Sequence, residues 1–213
     1  MNLFNFDKKL KEKNTFLIGT DEVGRGAGAG PVYAAAVCFK NPNKKLIDKL
    51  SEINDSKQLK PQQREEFYDI IIENSVYDIQ FCSVEEISRL NILWCSLLCM
   101  KRACENVIEK IGSEKTLTIV DGNKLIPDFP NEQKSIVKGD GKSATIAAAS
   151  ILAKVSRDRY MTELSEQYPQ YDWASNKGYI TEDHLKAVDK YGLCEHHRVK
   201  YFEKHFAQQL SLF

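Results

Sequence analysis

The sequence predicts an α/β domain, a mixed β-sheet flanked by helices with a helical C-terminal extension. Three observations predict it. Two short apolar runs, residues 16–20 and 31–39, lie on either side of a glycine-rich loop and read as neighbouring strands. Beyond them, helical periodicity alternates with β-branched runs, which is the pattern of a sheet covered by helices. The 213 residues suffice for one well-buried domain and leave a second one cramped. No internal repeat or low-complexity linker interrupts the chain.

The elements follow in order. Residues 1–14 are charged and form a short helix or arm. Residues 77–83 alternate as a third strand. Pro61 stands in a first-turn position and helical periodicity runs from it to Ile72. Asp55, Ser56 and Lys57 fall in the loop before that helix, where a lysine can touch phosphate; read alone, they are a simple turn. A long amphipathic helix is predicted over residues 90–111, and the β-branched run 116–120 is a strand that delivers Asp121 at its end. A short strand over 135–137 leads to Asp140, and a helix over 143–160 carries an Ala147-Ala148-Ala149 run that permits close packing on the sheet.

Composition narrows the function classes. Thirty Lys plus Arg balance thirty Asp plus Glu, which argues against tight non-specific binding through phosphate charge. Charge is uneven locally: Lys134, Lys138, Lys142, Lys154, Arg157 and Arg159 face only Asp140 and Asp158 over residues 134–160, either a cationic stripe or a solvated helix face. The six cysteines form no C-x-x-C pair and most lie in apolar runs, so they read as reduced core residues. No signal-peptide core and no membrane-span-length apolar run is present, and a cytoplasmic location is expected.

The stretch from Ile18 to Val32 carries the chemistry. Asp21 and Glu22 end an apolar run, and a glycine-rich loop with one arginine, Gly24-Arg25-Gly26, follows at once. Mg²⁺ is held by one or two protein carboxylates with substrate phosphate oxygens completing its shell, so carboxylates beside a phosphate-cradling loop suggest metal-dependent phosphodiester hydrolysis. Two other readings compete. Residues 24–29 fit the loose dinucleotide pattern G-x-G-x-x-A, but a strand-like run rather than a helix follows. A solvated hairpin, with Asp21 and Glu22 as turn residues, is the blander reading.

The wider pattern resembles ribonuclease HII, the type 2 ribonuclease H. The resemblance is carried by Asp21-Glu22-Val23-Gly24-Arg25-Gly26 with Gly30-Pro31-Val32, Asp55-Ser56-Lys57, Asn91-Ile92-Leu93, Met100-Lys101-Arg102-Ala103 and Val120-Asp121-Gly122-Asn123. It continues through Lys138-Gly139-Asp140, the signature from Ala147 to Arg159, Lys177-Gly178-Tyr179 with Thr181 and His184, and His197-Arg198. Ala27-Gly28, Trp94-Cys95 and Cys99 depart from the family pattern, in loop shape and helix packing rather than in the acids.

The resemblance spans residues 15–202 and implies a ribonuclease H-like catalytic domain there, an arm over 1–14 and a tail over 203–213. It implies two divalent ions, Mg²⁺ or Mn²⁺, held by Asp21, Glu22 and Asp121, with Asp140 completing the cluster. One ion would activate water and the other stabilise the leaving 3′ oxygen, giving 5′-phosphate and 3′-hydroxyl ends. The implied substrates are RNA/DNA hybrids and duplex DNA containing ribonucleotides, incised on the 5′ side. Gly24, Arg25 and Gly26 would read the 2′-hydroxyl through backbone, and Tyr179 would pack on the deoxyribose beyond it.

Lys57, Lys154, Lys177 and His184 are candidates for phosphate contact, although His184 also fits the first turn of a helix capped by Thr181. Asp158 has a supporting role or pairs with Arg157 or Arg159 on the helix surface. Gln209, Leu210, Leu212 and Phe213 resemble the peptide that binds the bacterial DNA sliding clamp; the alternative is a tail folded onto its own domain. A monomer is expected. Ribonuclease HIII and a non-catalytic, clamp-tethered binding subunit are the competing functional readings.

Overall fold

A computed structural model describes residues 3–12, 15–53, 59–112 and 115–210, the side chains of 208–210 excepted. Helix α1 (Leu3–Leu10) leads into β1 (Phe16–Val23) and β2 (Val32–Cys38), followed by α2 (Lys44–Lys49), α3 (Pro61–Asn74) and β3 (Val76–Cys82). Next come α4 (Val84–Leu90), α5 (Ile92–Ile111), β4 (Thr116–Asp121), β5 (Glu132–Ile136) and α6 (Ala144–Gln167). Helices α7 (Trp173–Asn176), α8 (Glu182–Tyr191) and α9 (Glu203–Leu210) make the C-terminal part.

The sheet order is β3-β2-β1-β4-β5, antiparallel on the β3-β2-β1 side and parallel on the β1-β4-β5 side. The mixed sheet arises because the glycine loop returns β2 directly beside β1, whereas β4 and β5 reach their places only after longer connections. Its two faces are legible in β2, since alternate residues of a strand point to opposite sides. Val32, Ala34, Ala36 and Cys38 pack with Cys95, Cys99, Met100, Ala103 and Val107 of α5, whereas Ala35 and Val37 pack with Ala147, Ala148 and Ile151 of α6. Five of the cysteines are buried and free, as their apolar settings predict.

Helix α6 is covered on nearly every side over its first ten residues, between the sheet and α1 and α3. Gly19 permits this: a Cβ there would lie 2.5 Å from the backbone of Thr145 and Ile146. The N-terminal residues join the same layer, with Phe4 in the core and the Asp7 carboxylate accepting from the Thr145 amide at 2.9 Å. No helix among the described residues is long and apolar enough to cross a membrane.

Several expected boundaries shift. Strand β1 runs through Asp21 and Glu22, so these acids lie inside the strand's last turn of pleat rather than beyond it. The helix predicted over residues 90–111 is α5 and begins two residues later, at Ile92; Leu90 ends α4, a short helix outside the predicted elements, and Asn91 separates the two. That residue has a φ of 68°, and its side chain accepts from the Leu93 and Trp94 amides. Strand β5 stops at Ile136, and Asp140 stands in a 3₁₀ turn over Gly139–Gly141 instead of at a strand end. Helix α6 continues seven residues beyond Tyr160. Residues 203–210 of the expected tail are helical, with Phe206 packed on the C-terminal cluster of Trp173, Val188 and Phe202.

Candidate active site

Parallel pairing builds the acidic centre. Thr20 stands opposite Val120 in the β1–β4 register, so the next residue on each strand is an aspartate, Asp21 and Asp121. Leu17 packs on Ile146 of α6 and Ile18 on the α5 side. By alternation Asp21 faces α6, where the Ser150 hydroxyl hydrogen-bonds to it, and Glu22 turns to the opposite side. The four acids nevertheless share one cavity of about 450 Å³, lined by Asp21, Glu22, Asp121 and Asp140 with Val23, Ser150, Lys154 and Tyr179. A second cavity of about 200 Å³ lies on the other side of Glu22 and Asp121, next to Arg25, Asn123 and Lys124.

Local bonds orient the acids. The Gly139 amide donates to Asp121 Oδ1 at 2.6 Å, and the Gly141 amide to Asp140 Oδ1 at 2.9 Å. Arg25 donates to Glu22 Oε1 at 3.0 Å. Burial pushes the Asp21 carboxyl well above the usual carboxylate range, and the charges of Glu22 and Asp121 push it further. Burial raises Glu22 too, against the opposing pull of Arg25. The sheet end therefore holds crowded negative charge that a cation would relieve. Among the described residues no three such side chains already enclose one point as a closed metal cage does. An open, all-oxygen arrangement of this kind fits Mg²⁺ or Mn²⁺, which take a few carboxylates and leave positions for water and phosphate.

The glycine loop closes one side of the site. Gly24 has a φ of +92°, and a Cβ on it would come within 2.3 Å of Arg157 Nε. At Gly26 an added Cβ would meet nothing of the protein within 4 Å, so internal packing gives no reason for that glycine. Opposite the loop stands the segment Lys177-Gly178-Tyr179: Ala27 bridges Tyr179, and the Gly28 and Ala29 amides donate to Gly178 O at 2.9 and 3.1 Å. Tyr179 is 37% exposed, with its ring over the Arg157 guanidinium at 5.5 Å.

The remaining expected site residues divide. Lys154 lines the acidic cavity and pairs with Asp158 at 2.7 Å, so Asp158 pairs with neither Arg157 nor Arg159. Arg159 pairs with Glu65 instead. Arg157 is wholly buried and leaves the expected cationic stripe, because its guanidinium is consumed by backbone carbonyls. The Lys177 amine donates to Thr162 Oγ1 and Ala174 O, beside the acidic cavity rather than in it.

His184 sits in the first turn of α8 under the Thr181 cap, as the alternative reading had it. Its ring has no exposed surface, so it is not available to a phosphate. Its Nδ1 lies 3.0 Å from Tyr179 O, and its Nε2 lies 3.2 Å from both Trp173 Nε1 and His197 Nε2. Lys57, Leu212 and Phe213 lie outside the described residues, and Gln209 and Leu210 form the last turn of α9.

Sequence reasoning gives no role to Ser150, His197 or Arg198, and places Arg157 only in a cationic stripe or beside Asp158. For Arg157 a signal existed: residues 150, 153, 157, 161 and 164 recur at helical spacing and are otherwise small or apolar, so a charge there lies on a buried stripe. For His197 and Arg198, between α8 and α9, no periodicity marks burial.

Comparison with known proteins bears on the family and the fold. The sequence profile of the family described as Ribonuclease HII matches residues 18–208. The Ribonuclease HII of Caldicellulosiruptor bescii is 44% identical over 204 residues, 95% of this chain and 94% of that protein. Among solved structures, a chain of the PCNA:RNase HII complex from Archaeoglobus fulgidus is similar with a TM-score of 0.68 at 25% identity, covering 87% of this chain and 94% of that one. Bst-RNase HIII in complex with Mn²⁺ shares the fold, with a TM-score of 0.66 at 19% identity, covering 84% of this chain and 63% of that one.

Proposed function

The chain belongs to the ribonuclease HII family and is an endoribonuclease, and on that premise we propose that it cleaves the RNA strand of RNA/DNA hybrids and incises duplex DNA 5′ of an embedded ribonucleotide. The observation that carries this reading is the meeting of Asp21, Glu22, Asp121, Asp140 and Tyr179 around one cavity at the end of β1 and β4. Asp21, Glu22 and Asp121 would hold two divalent ions, Mg²⁺ or Mn²⁺, with Asp140 completing the set. Bound there, the ions supply Lewis-acid activation of water and charge stabilisation at the leaving oxygen, which gives 5′-phosphate and 3′-hydroxyl products.

The chain's own groups do the rest. The Ser150 hydroxyl and the Gly139 amide fix Asp21 and Asp121. Gly26, which nothing in the protein crowds, leaves room for a ribose to reach the loop backbone, the place where a 2′-hydroxyl separates RNA from DNA. Tyr179 offers an exposed ring to the next sugar across the cavity. Lys154 and Lys177 border the path of the backbone phosphates, and Lys57, which precedes α3 in sequence, would add a further phosphate contact. Residues 209–213 would dock on the bacterial sliding clamp; a partner of that kind, PCNA, accompanies the Archaeoglobus fulgidus RNase HII.

The test is incubation with an end-labelled DNA duplex containing one ribonucleotide, with Mg²⁺ or Mn²⁺, beside Asp121→Asn. Nicking on the 5′ side of the ribonucleotide by the wild type alone is expected. Cleavage that persists in the variant removes Asp121 from the ligand set, and absence of nicking by the wild type refutes the substrate assignment.

A further inference from the structure

Beneath the glycine loop lie two buried arginines for which the mechanism above has no use. Arg157, on α6, is wholly buried, and Arg198, between α8 and α9, is 2% exposed. Among the described residues neither is ion-paired with a carboxylate. A buried guanidinium without an acid is costly unless its donors are satisfied, so where those donors go indicates what the charge is kept for.

Those that are bonded go mostly to main-chain carbonyls of the loop, and Arg198 Nη2 is buried without a hydrogen-bond partner. Arg157 donates through Nε to Pro31 O at 3.0 Å and through Nη2 to Ala29 O at 3.1 Å. Arg198 donates through Nε to Gly30 O at 2.9 Å and through Nη1 to Gly24 O at 2.7 Å and Arg25 O at 3.2 Å. The Tyr201 hydroxyl adds a bond to Arg25 O at 2.8 Å. The last donor of Arg157, Nη1, crosses to Lys177 O at 2.9 Å, two residues before Tyr179, whose ring covers the same guanidinium. One guanidinium thus holds both the loop and the tyrosine segment, and the other holds the loop at both ends.

We propose that Arg157 and Arg198 are positioning residues that set substrate specificity by fixing the spacing between the Gly24–Gly26 backbone and Tyr179. The inference rests on the function proposed above. If the loop reads a ribose and Tyr179 reads the deoxyribose after it, their spacing matters to a substrate that presents both at one place. A continuous RNA tract offers a ribose at every register and no such junction, so it tolerates a looser spacing. Lysine cannot substitute, because a single ammonium does not reproduce a planar fork that reaches several carbonyls at fixed angles.

The experiment measures kcat and KM for wild type, Arg198→Lys and Arg157→Lys on two duplexes, one with a single embedded ribonucleotide and one a continuous RNA/DNA hybrid. Misplacement of about an ångström can cost ~10²-fold in rate, so a loss of that order on the single-ribonucleotide duplex is expected, with a several-fold smaller loss on the hybrid. The selectivity ratio is the readout that simple loss of folded enzyme does not move. Equal proportional losses on both substrates, or none on either, overturn the proposal. Should both lysine variants fail to fold by thermal melt, Tyr201→Phe decides, since it removes one bond to the loop from a partly exposed ring. A lowered ratio then supports the clamp, and an unchanged ratio overturns it. A wild type that cuts neither duplex refutes the proposed function itself and is thereby distinguishable.

Discussion

Acidification should destabilise this enzyme through His197, and His197→Asn should remove that sensitivity. The hydrogen bonds dictate neutral rings. His184 Nδ1 faces the Tyr179 carbonyl and must carry the proton, so its Nε2 accepts from Trp173 Nε1 and from His197 Nε2. His197 Nδ1 accepts from the Cys194 amide at 3.0 Å. Each acceptor nitrogen already faces an N–H, so protonating either ring sets two donors against each other. Burial, and then repulsion from the charge His184 would carry once protonated, lowers His197 to about 4 from its ordinary 6.5.

The unfolded chain therefore takes up this proton as pH falls through about 6.5, whereas the folded protein holds out to about 4. The contribution is complete above pH ~6.5 and declines toward pH ~4, and at ~1.4 kcal/mol per pH unit the loss comes to about 3 kcal/mol. Asp7, Asp21 and Glu22 are raised and act in the opposite direction, but they are common to wild type and variant and cancel on subtraction. Urea unfolding of both proteins across this range gives the difference directly. His197→Asn should be less stable at neutral pH, and the gap should close by about 3 kcal/mol on reaching pH ~4. A gap independent of pH refutes the neutral, proton-excluding pair.

Other outcomes follow from the site. Asp21→Asn should raise the melting temperature of the metal-free protein, most fully above the raised carboxyl pKa and less as pH falls through it, while costing at least ~10²-fold in cleavage; unchanged melting shows that the crowding of charge is not felt. Gly26→Ala should leave unfolding free energy within ~0.5 kcal/mol of wild type yet slow incision of a single ribonucleotide ~10-fold or more, and equal rates would mean that no substrate comes close there. Deletion of residues 209–213 should abolish calorimetric binding to a bacterial sliding clamp and spare cleavage of short free duplexes. If both forms bind alike, or melting and activity fall together, the tail belongs to the domain.

The fold was legible where one period dominated. Strand pairs around the glycine loop, the apolar α6 and the three acids at strand ends all follow from alternation, helical spacing and local turn chemistry. What escaped were features set by partners distant in sequence. Asn91, read as lying inside the helix over 90–111, is its N-cap instead, because its own side chain accepts from the first amides of α5. Nothing near His184 announces that Trp173 and His197 will enclose it, and a first-turn histidine read in isolation could as well face solvent. Arg198 lies 168 to 174 residues from the carbonyls it serves, and no local pattern encodes that meeting.

The electrostatics carry one further consequence for how a chain of zero formal charge engages a polyanion. Three of the cations near the acidic cavity are already committed: Arg25 to Glu22, Lys154 to Asp158, and the Lys177 amine to Thr162 and Ala174. With the acids also crowded there, the metal-free site repels phosphate more than it attracts it. A divalent ion at Glu22 and Asp121 would reverse that sign and compete with Arg25 for the Glu22 carboxylate, releasing the half-exposed guanidinium toward the duplex. Duplex affinity should therefore rise with Mg²⁺ or Ca²⁺, and the rise should shrink in Arg25→Ala. Measured by fluorescence anisotropy at constant ionic strength, an affinity unaffected by divalent ions would mean that binding depends on the loop and Tyr179 alone.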